Sequence, residues 1–123
     1  MEDTESMVSL KLTILKPSEF SRLKATVQKS GKLGFTKNSA NMLALDENVF
    51  AVIAKDSVEN LYIRFTNEES EETFPIRKSG DYLYINTTDL FLKMGIDFKK
   101  KALVFYLSEK NMKGVTWFKM IKN

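Results

Sequence analysis

Neither cysteine nor histidine occurs anywhere in the 123 residues. The first absence excludes a disulfide framework, a thiolate zinc site and a cysteine nucleophile. The second removes the commonest general base, the commonest zinc ligand and any Ser-His pair. Long apolar runs are missing as well: "VFAVIA" and "ALVFYL" are strand-sized and far too short to span a bilayer. No GxxxxGK[ST], GxGxxG or GxSxG pattern is present. The opening "MEDTESMVSL" carries acidic residues where a secretory leader carries basic ones. These absences predict a cytoplasmic, non-enzymatic protein with no metal site, no cofactor and no membrane partner.

What remains is the composition of a folded chain. At 43% hydrophobic and 11% aromatic, the sequence holds enough apolar material for one domain over 1–123 without staples. Net charge is +3 but unevenly spread. Seven Lys/Arg face four Asp/Glu from Met1 to Lys37, and ten face four from Pro75 onward. Between Asp46 and Glu72 the balance inverts, with two basic residues against eight acidic ones. Basic flanks around an acidic middle suit either an anionic partner or a solvated surface.

Alternation of apolar and polar residues marks most of the chain as strand. "VSLKLTIL" predicts an N-terminal strand over about 8–16, ended by Pro17. "LKATVQK" leads to a Ser-Gly turn, and "KLGF" continues beyond it with Leu33 and Phe35 on one face. Thr36 is a candidate N-cap for a short helix, with Ala40, Leu43 and Met42 as candidates for burial. "VFAVIA" and "LYIRF" read as a hairpin joined by "KDSVEN", and "TNEESEET" as an acidic surface loop. "FPIRK", a second Ser-Gly turn and "DYLYI" follow. Asn86 or Thr87 caps "TTDLFLKMG", Asp89 suits the positive end of that helix, and Gly95 is a natural stop. "ALVFYL" and "VTWFKM" supply a last hairpin.

The order therefore runs twice. With Gly31 set on Gly80, Val27 meets Ile76, Gln28 meets Arg77, Leu33 meets Tyr82 and Phe35 meets Tyr84. Two extra residues in the second half bring "LALD" from Leu43 onto "MGID" from Met94, and "AVI" from Ala51 onto "ALV" from Ala102. Four more in the second hairpin turn bring "YIRF" from Tyr62 onto "WFKM" from Trp117. Such ordered matching predicts a tandem repeat of about 40–47 residues per unit, with repeat one over about 26–66 and repeat two over about 75–121. The fold expected is mainly β with two short helices, an α+β arrangement of two β-β-α-β-β units.

A Ser-Gly turn, an alternating strand, a capped helix ending in Leu-x-Leu-Asp or Met-Gly-Ile-Asp and then a hairpin: this resembles the AbrB/MazE swapped-hairpin family. The stretches that carry the likeness are "GKLGFTKNSANMLAL" and "GDYLYINTTDLFLKMGI", within roughly Thr26 to Ile121. The resemblance implies a pseudo-two-fold, barrel-like body made by one chain, present as a monomeric pseudo-dimer or a homodimer. It further implies binding of double-stranded DNA in transcriptional regulation, through basic residues at the first hairpin of each unit. The matching positions are Lys29 and Lys32 in the first copy, Arg77 and Lys78 in the second. Asp81 stands where a basic residue is expected, and Thr36 and Ile85 stand where the family has proline.

Lys37 and the run Lys99, Lys100 and Lys101 join these four as candidate phosphate contacts, since each neutralised phosphate adds salt-sensitive affinity. As outward strand and loop residues they equally suit simple solvation. Tyr62, Tyr82, Tyr84 and Trp117 offer stacking surfaces for single-stranded nucleic acid, or fill a half-buried sheet. A protein-interaction module on the same scaffold, without DNA binding, is the remaining alternative. "NEESEE" lacks the ligand spacing of a calcium loop and reads as solvated. Asp46 and Asp97, each just after a helix, read as turn residues.

Overall fold

The computed structural model describes residues 11–15 and 23–122. The chain runs β1 (Lys24–Val27), β2 (Leu33–Phe35), α1 (Lys37–Met42), β3 (Phe50–Lys55), β4 (Leu61–Thr66). It continues β5 (Phe74–Ser79), β6 (Tyr82–Ile85), α2 (Thr88–Lys93), β7 (Leu103–Met112), β8 (Val115–Lys122). The fold is mainly β with two short helices, as the alternation predicts. Among the described residues, eight strands join one antiparallel sheet in the order β1-β2-β6-β5-β3-β4-β8-β7, and β7 returns to β1 to close it.

Closure turns alternate side chains inward, because successive residues of a strand point to opposite faces. Ala25, Val27, Leu33, Phe35, Ala51, Ile63, Ile76, Leu83, Ile85, Phe105, Leu107 and Met120 form the lining, all buried. Phe35 meets Phe65 edge to face, with centroids 5.9 Å apart, a favoured aromatic geometry. Phe91 of α2 and Phe98 beyond it add two more buried rings.

The hairpin β1–β2 is flanked by β7 and β6, whereas β5–β6 is flanked by β3 and β2. Interchanging β1 with β5, β2 with β6, β3 with β7 and β4 with β8 leaves this set of neighbours unchanged. Hydrogen bonds around the helices recur as well, 51 residues apart. Ala40 N–H donates to Thr36 O and Phe91 N–H to Thr87 O, while Leu45 donates to Ala40 O and Ile96 to Phe91 O. Ala44 and Gly95 occupy the same left-handed position after each helix, with φ of 55° and 74°.

Four expectations need correction. Residues 11–15 form no strand, and Leu12, Ile14 and Leu15 are exposed; residues 8–10 and 16 lie outside the described residues. Each of the eight strands has a neighbour on both sides, and residues 11–15 join none of them. Next, Leu33 and Phe35 correspond in the core to Leu83 and Ile85, not to Tyr82 and Tyr84, which face outward. Finally, the four extra residues expected in the second hairpin turn are not there. β7–β8 closes in two residues between Met112 and Val115, whereas β3–β4 closes between Lys55 and Leu61. Met42, a candidate for burial, is exposed.

Candidate nucleic-acid interface

The two Lys-Ser-Gly turns are built differently. In the first, Gly31 N–H donates to Gln28 O at 2.8 Å and Gln28 N–H to Lys32 O at 2.9 Å. Gly31 has φ of +88°, and a Cβ there would stand 2.8 Å from the Phe98 ring and 3.0 Å from the Thr88 backbone. Only glycine fits both the conformation and the space. The start of α2 then holds the turn from outside: Thr87 Oγ1 donates to Gly31 O and Thr88 Oγ1 to Ser30 O, each at 2.8 Å. Thr87 is thus the N-cap by position, but its hydroxyl makes no side-chain cap to the helix. Thr36 does cap α1, accepting from Ser39 N at 3.3 Å.

This pinned turn gathers lysines. Lys29 lies exposed on it, and Lys32 Nζ stands 4.7 Å from the centroid of the Tyr84 ring. β1 pairs with β7 from Val27↔Leu103 onward, so the segment leading into β7 runs beside the turn. That segment carries Lys99, Lys100 and Lys101, all exposed, immediately after the buried Phe98. Phe98 anchors the loop under Gly31 and leaves its three neighbours in solvent. Asp89 and Asp97 are the carboxylates on the same segments, both exposed.

At the second turn Ser79 pairs with Tyr82, leaving Gly80 and Asp81 as a two-residue tip. Gly80 has φ of +61° and open space around it. β2 and β6 are antiparallel, with Leu33↔Ile85 and Phe35↔Leu83, so the two turns sit at opposite ends of the pair. Lys78 and Lys37 line one small cleft there, together with Asp46, Glu47 and Asp81. Three carboxylates against two ammonium groups make a poor phosphate site. Arg77 lies cross-strand from Tyr84. The eight predicted basic positions therefore divide: Lys29, Lys32 and Lys99–Lys101 at one end, Lys78 and Lys37 at the other, and Arg77 between them, cross-strand from the Tyr84 ring that Lys32 covers.

Tyr82 and Tyr84 lie on the outer face between the groups, half-buried. Tyr82 lies across the bare backbone of Gly34. Burial raises its phenol above the ordinary range, and the Gln28 amide partly opposes this. Asp46 makes the predicted turn, its Oδ1 accepting from Asn48 N at 2.7 Å. Glu68, Glu69, Glu71 and Glu72 are exposed, and no cluster of three carboxylates suited to a metal occurs among the described residues. No helix among those residues is long and apolar enough to cross a membrane.

Sequence reasoning missed Phe98, Thr87 and Thr88 as organisers of the first turn. The adjacent threonines were visible, but only as caps for their own helix. It also passed over Arg64, Lys110 and Lys119, which share the outer face of β4, β8 and β7 with Tyr62 and Trp117. No protein-family model, curated protein or solved structure matches this chain.

Proposed function

We propose that the chain is a tandem duplication of an AbrB/MazE-like swapped-hairpin unit, and that it binds double-stranded DNA as a non-enzymatic transcriptional regulator. The strand order that survives interchange of the halves supports the duplication, as does the recurrence of helix hydrogen bonds 51 residues on. Each hairpin, β1–β2 or β5–β6, pairs with strands of the other half, which is what exchange of hairpins within one chain requires.

The observation that carries the DNA reading is the gathering of Lys29, Lys32, Lys99, Lys100 and Lys101 around one rigid turn. The footprint is one-sided. The equivalent turn carries Asp81, and its lysines share a cleft with acidic residues. Phosphates bind where several cations converge on a preformed surface, and releasing counterions from them makes affinity fall with salt.

Fluorescence anisotropy of labelled duplex DNA tests this. Charge reversal at Lys29 and Lys32, or at Lys99, Lys100 and Lys101, should each weaken binding about 10-fold or more at low salt and flatten the salt dependence. Reversal at Arg77 and Lys78 should cost less. A wild-type protein that ignores duplex DNA at low salt sinks the proposal. A stable complex with another protein, indifferent to both sets of substitutions, would then identify an assembly module.

A further inference from the structure

A second surface, on the outer side of β3-β4-β8-β7, has aromatic and basic residues interleaved. The inward residues here are Leu61, Ile63 and Met120, all buried, so Tyr62, Arg64, Trp117 and Lys119 point outward. Tyr62 pairs with Lys119 across β4–β8, and Trp117 with Lys110 across β7–β8. The Arg64 guanidinium stands over the Trp117 ring, 5.4 Å from its centroid. β7 and β8 outrun their other neighbours, since β1 follows β7 to Tyr106 and β4 follows β8 from Phe118. Their tip projects as a two-stranded ribbon.

The ribbon walls an open cleft of about 490 Å³ whose lining includes Ala54, Tyr62, Met112, Lys113, Val115 and Trp117. That volume suits a flat ring system of ligand size. Charge also favours an anion. Asp56, a carboxylate lining the cleft, keeps its negative charge while accepting from Val58 N, Asn60 N, Asn60 Nδ2 and Tyr62 Oη at 2.9–3.1 Å, and the cations around it outnumber it. Glu59 is paired with Lys55 at 3.2 Å. Arg64, Lys110, Lys113 and Lys119 remain to face a ligand, and Glu109 lies on the opposite side of the ribbon, across from Phe118.

We infer that this face is a binding platform for single-stranded nucleic acid, with an unpaired base stacked in the Tyr62–Trp117 cleft and phosphates held by Lys110, Lys113 and Lys119. Every base offers a π-face to an aromatic side chain, and a row of cations tracks the backbone, which together give sequence-tolerant binding. A duplex keeps its bases stacked inside and cannot enter the cleft. The first turn joins β1 to β2, and its lysine cluster shares with the platform only β7, preceded by Lys99–Lys101 and carrying Lys110 towards its far end.

Trp117 is the single tryptophan of the chain, so its fluorescence reports the site directly. A short oligothymidylate should quench it at low salt, and the same strand annealed to oligoadenylate should quench it far less. Tyr62→Ala should weaken binding about 5- to 150-fold, the usual range for removing one stacking partner. Tyr62→Phe keeps the ring and should retain affinity. Lys110→Glu with Lys119→Glu should weaken the quench and flatten its salt dependence. Trp117→Ala, followed by anisotropy of a labelled strand, gives the same loss without relying on the reporter. Lys29→Glu with Lys32→Glu should leave the quench intact while reducing duplex binding, which separates this proposal from the previous one. Absence of quenching at low salt overturns the inference. So does a quench that survives Tyr62→Ala and the double lysine reversal, or one abolished by the first-turn variant.

Discussion

The first and second Lys-Ser-Gly turns share three residues and little else. Gly31 is buried, with an aromatic ring and a helix start against it; Gly80 stands free in solvent. The cause lies far away in sequence, just after each helix. Phe98 follows Asp97 as Glu47 follows Asp46. Phe98 is 2% exposed and packs under Gly31, whereas Glu47 is exposed on the cleft beside Asp81. Two turns of the same local composition thus take their roles from what packs behind them: an apolar anchor makes a rigid, lysine-flanked surface, and a carboxylate leaves a mixed-charge rim.

Removing the anchor is the strongest way to erase this difference. Phe98→Ala deletes a fully buried ring and should cost about 3–5 kcal/mol, a loss of transfer energy plus a cavity. Urea denaturation measures it. The turn should then exchange its amide protons faster at Gly31, while Gly80, already open, stays as it was. An equal effect on both turns would show that Phe98 serves the core at large and not the first turn.

Next in size is a matched pair of glycine substitutions. Gly31→Ala meets a positive φ, the Phe98 ring and the Thr88 backbone together. Left-handed strain and overpacking add to about 2–5 kcal/mol. Gly80→Ala meets only the φ of +61° and should cost about 1–2 kcal/mol. Equal melting temperatures for the two variants would contradict the packing described at the first turn.

Local pattern made much of this fold legible in advance, and the shortfalls have identifiable causes. Alternation marked the strands because a closed sheet has one dry and one wet side. It mis-set the phase of "YLYI", where every residue is apolar enough for either side. Gly34 decides the matter: the space over its missing side chain takes Tyr82 on the outer face, so Leu83 and Ile85 turn inward. The alternating "KLTIL" misled for another reason: a strand needs a partner, and the sheet completes its ring of neighbours without these residues. At the candidate site, the individual lysines were legible but their grouping was not. Lys99–Lys101 reach the first turn through the pairing of β1 with β7, a contact between residues about 75 positions apart that no local pattern encodes.

The smallest expected difference concerns the two threonines that open the helices. Thr36 uses its hydroxyl within its own helix, as acceptor for Ser39 N. Thr36→Ala should cost about 1 kcal/mol, the usual value of a cap. Thr87 occupies the same place before α2 but spends its hydroxyl on the carbonyl of Gly31, at 2.8 Å and fully buried. Thr87→Val keeps the shape and leaves that carbonyl without its donor in a site closed to water. Its cost should be about 1–3 kcal/mol, the penalty for a buried unsatisfied group. The useful reading is less the size than the place. Thr36→Ala should loosen α1 alone, whereas Thr87→Val should loosen the first turn, seen as faster amide exchange at Gly31 and Lys32. Duplex affinity should then fall although no charge has been removed, because a lysine cluster binds phosphates best when its backbone is already in position. Unchanged affinity in a Thr87→Val protein with a loosened turn would show that the lysines act as a diffuse charge and that the rigidity of the first turn serves stability alone.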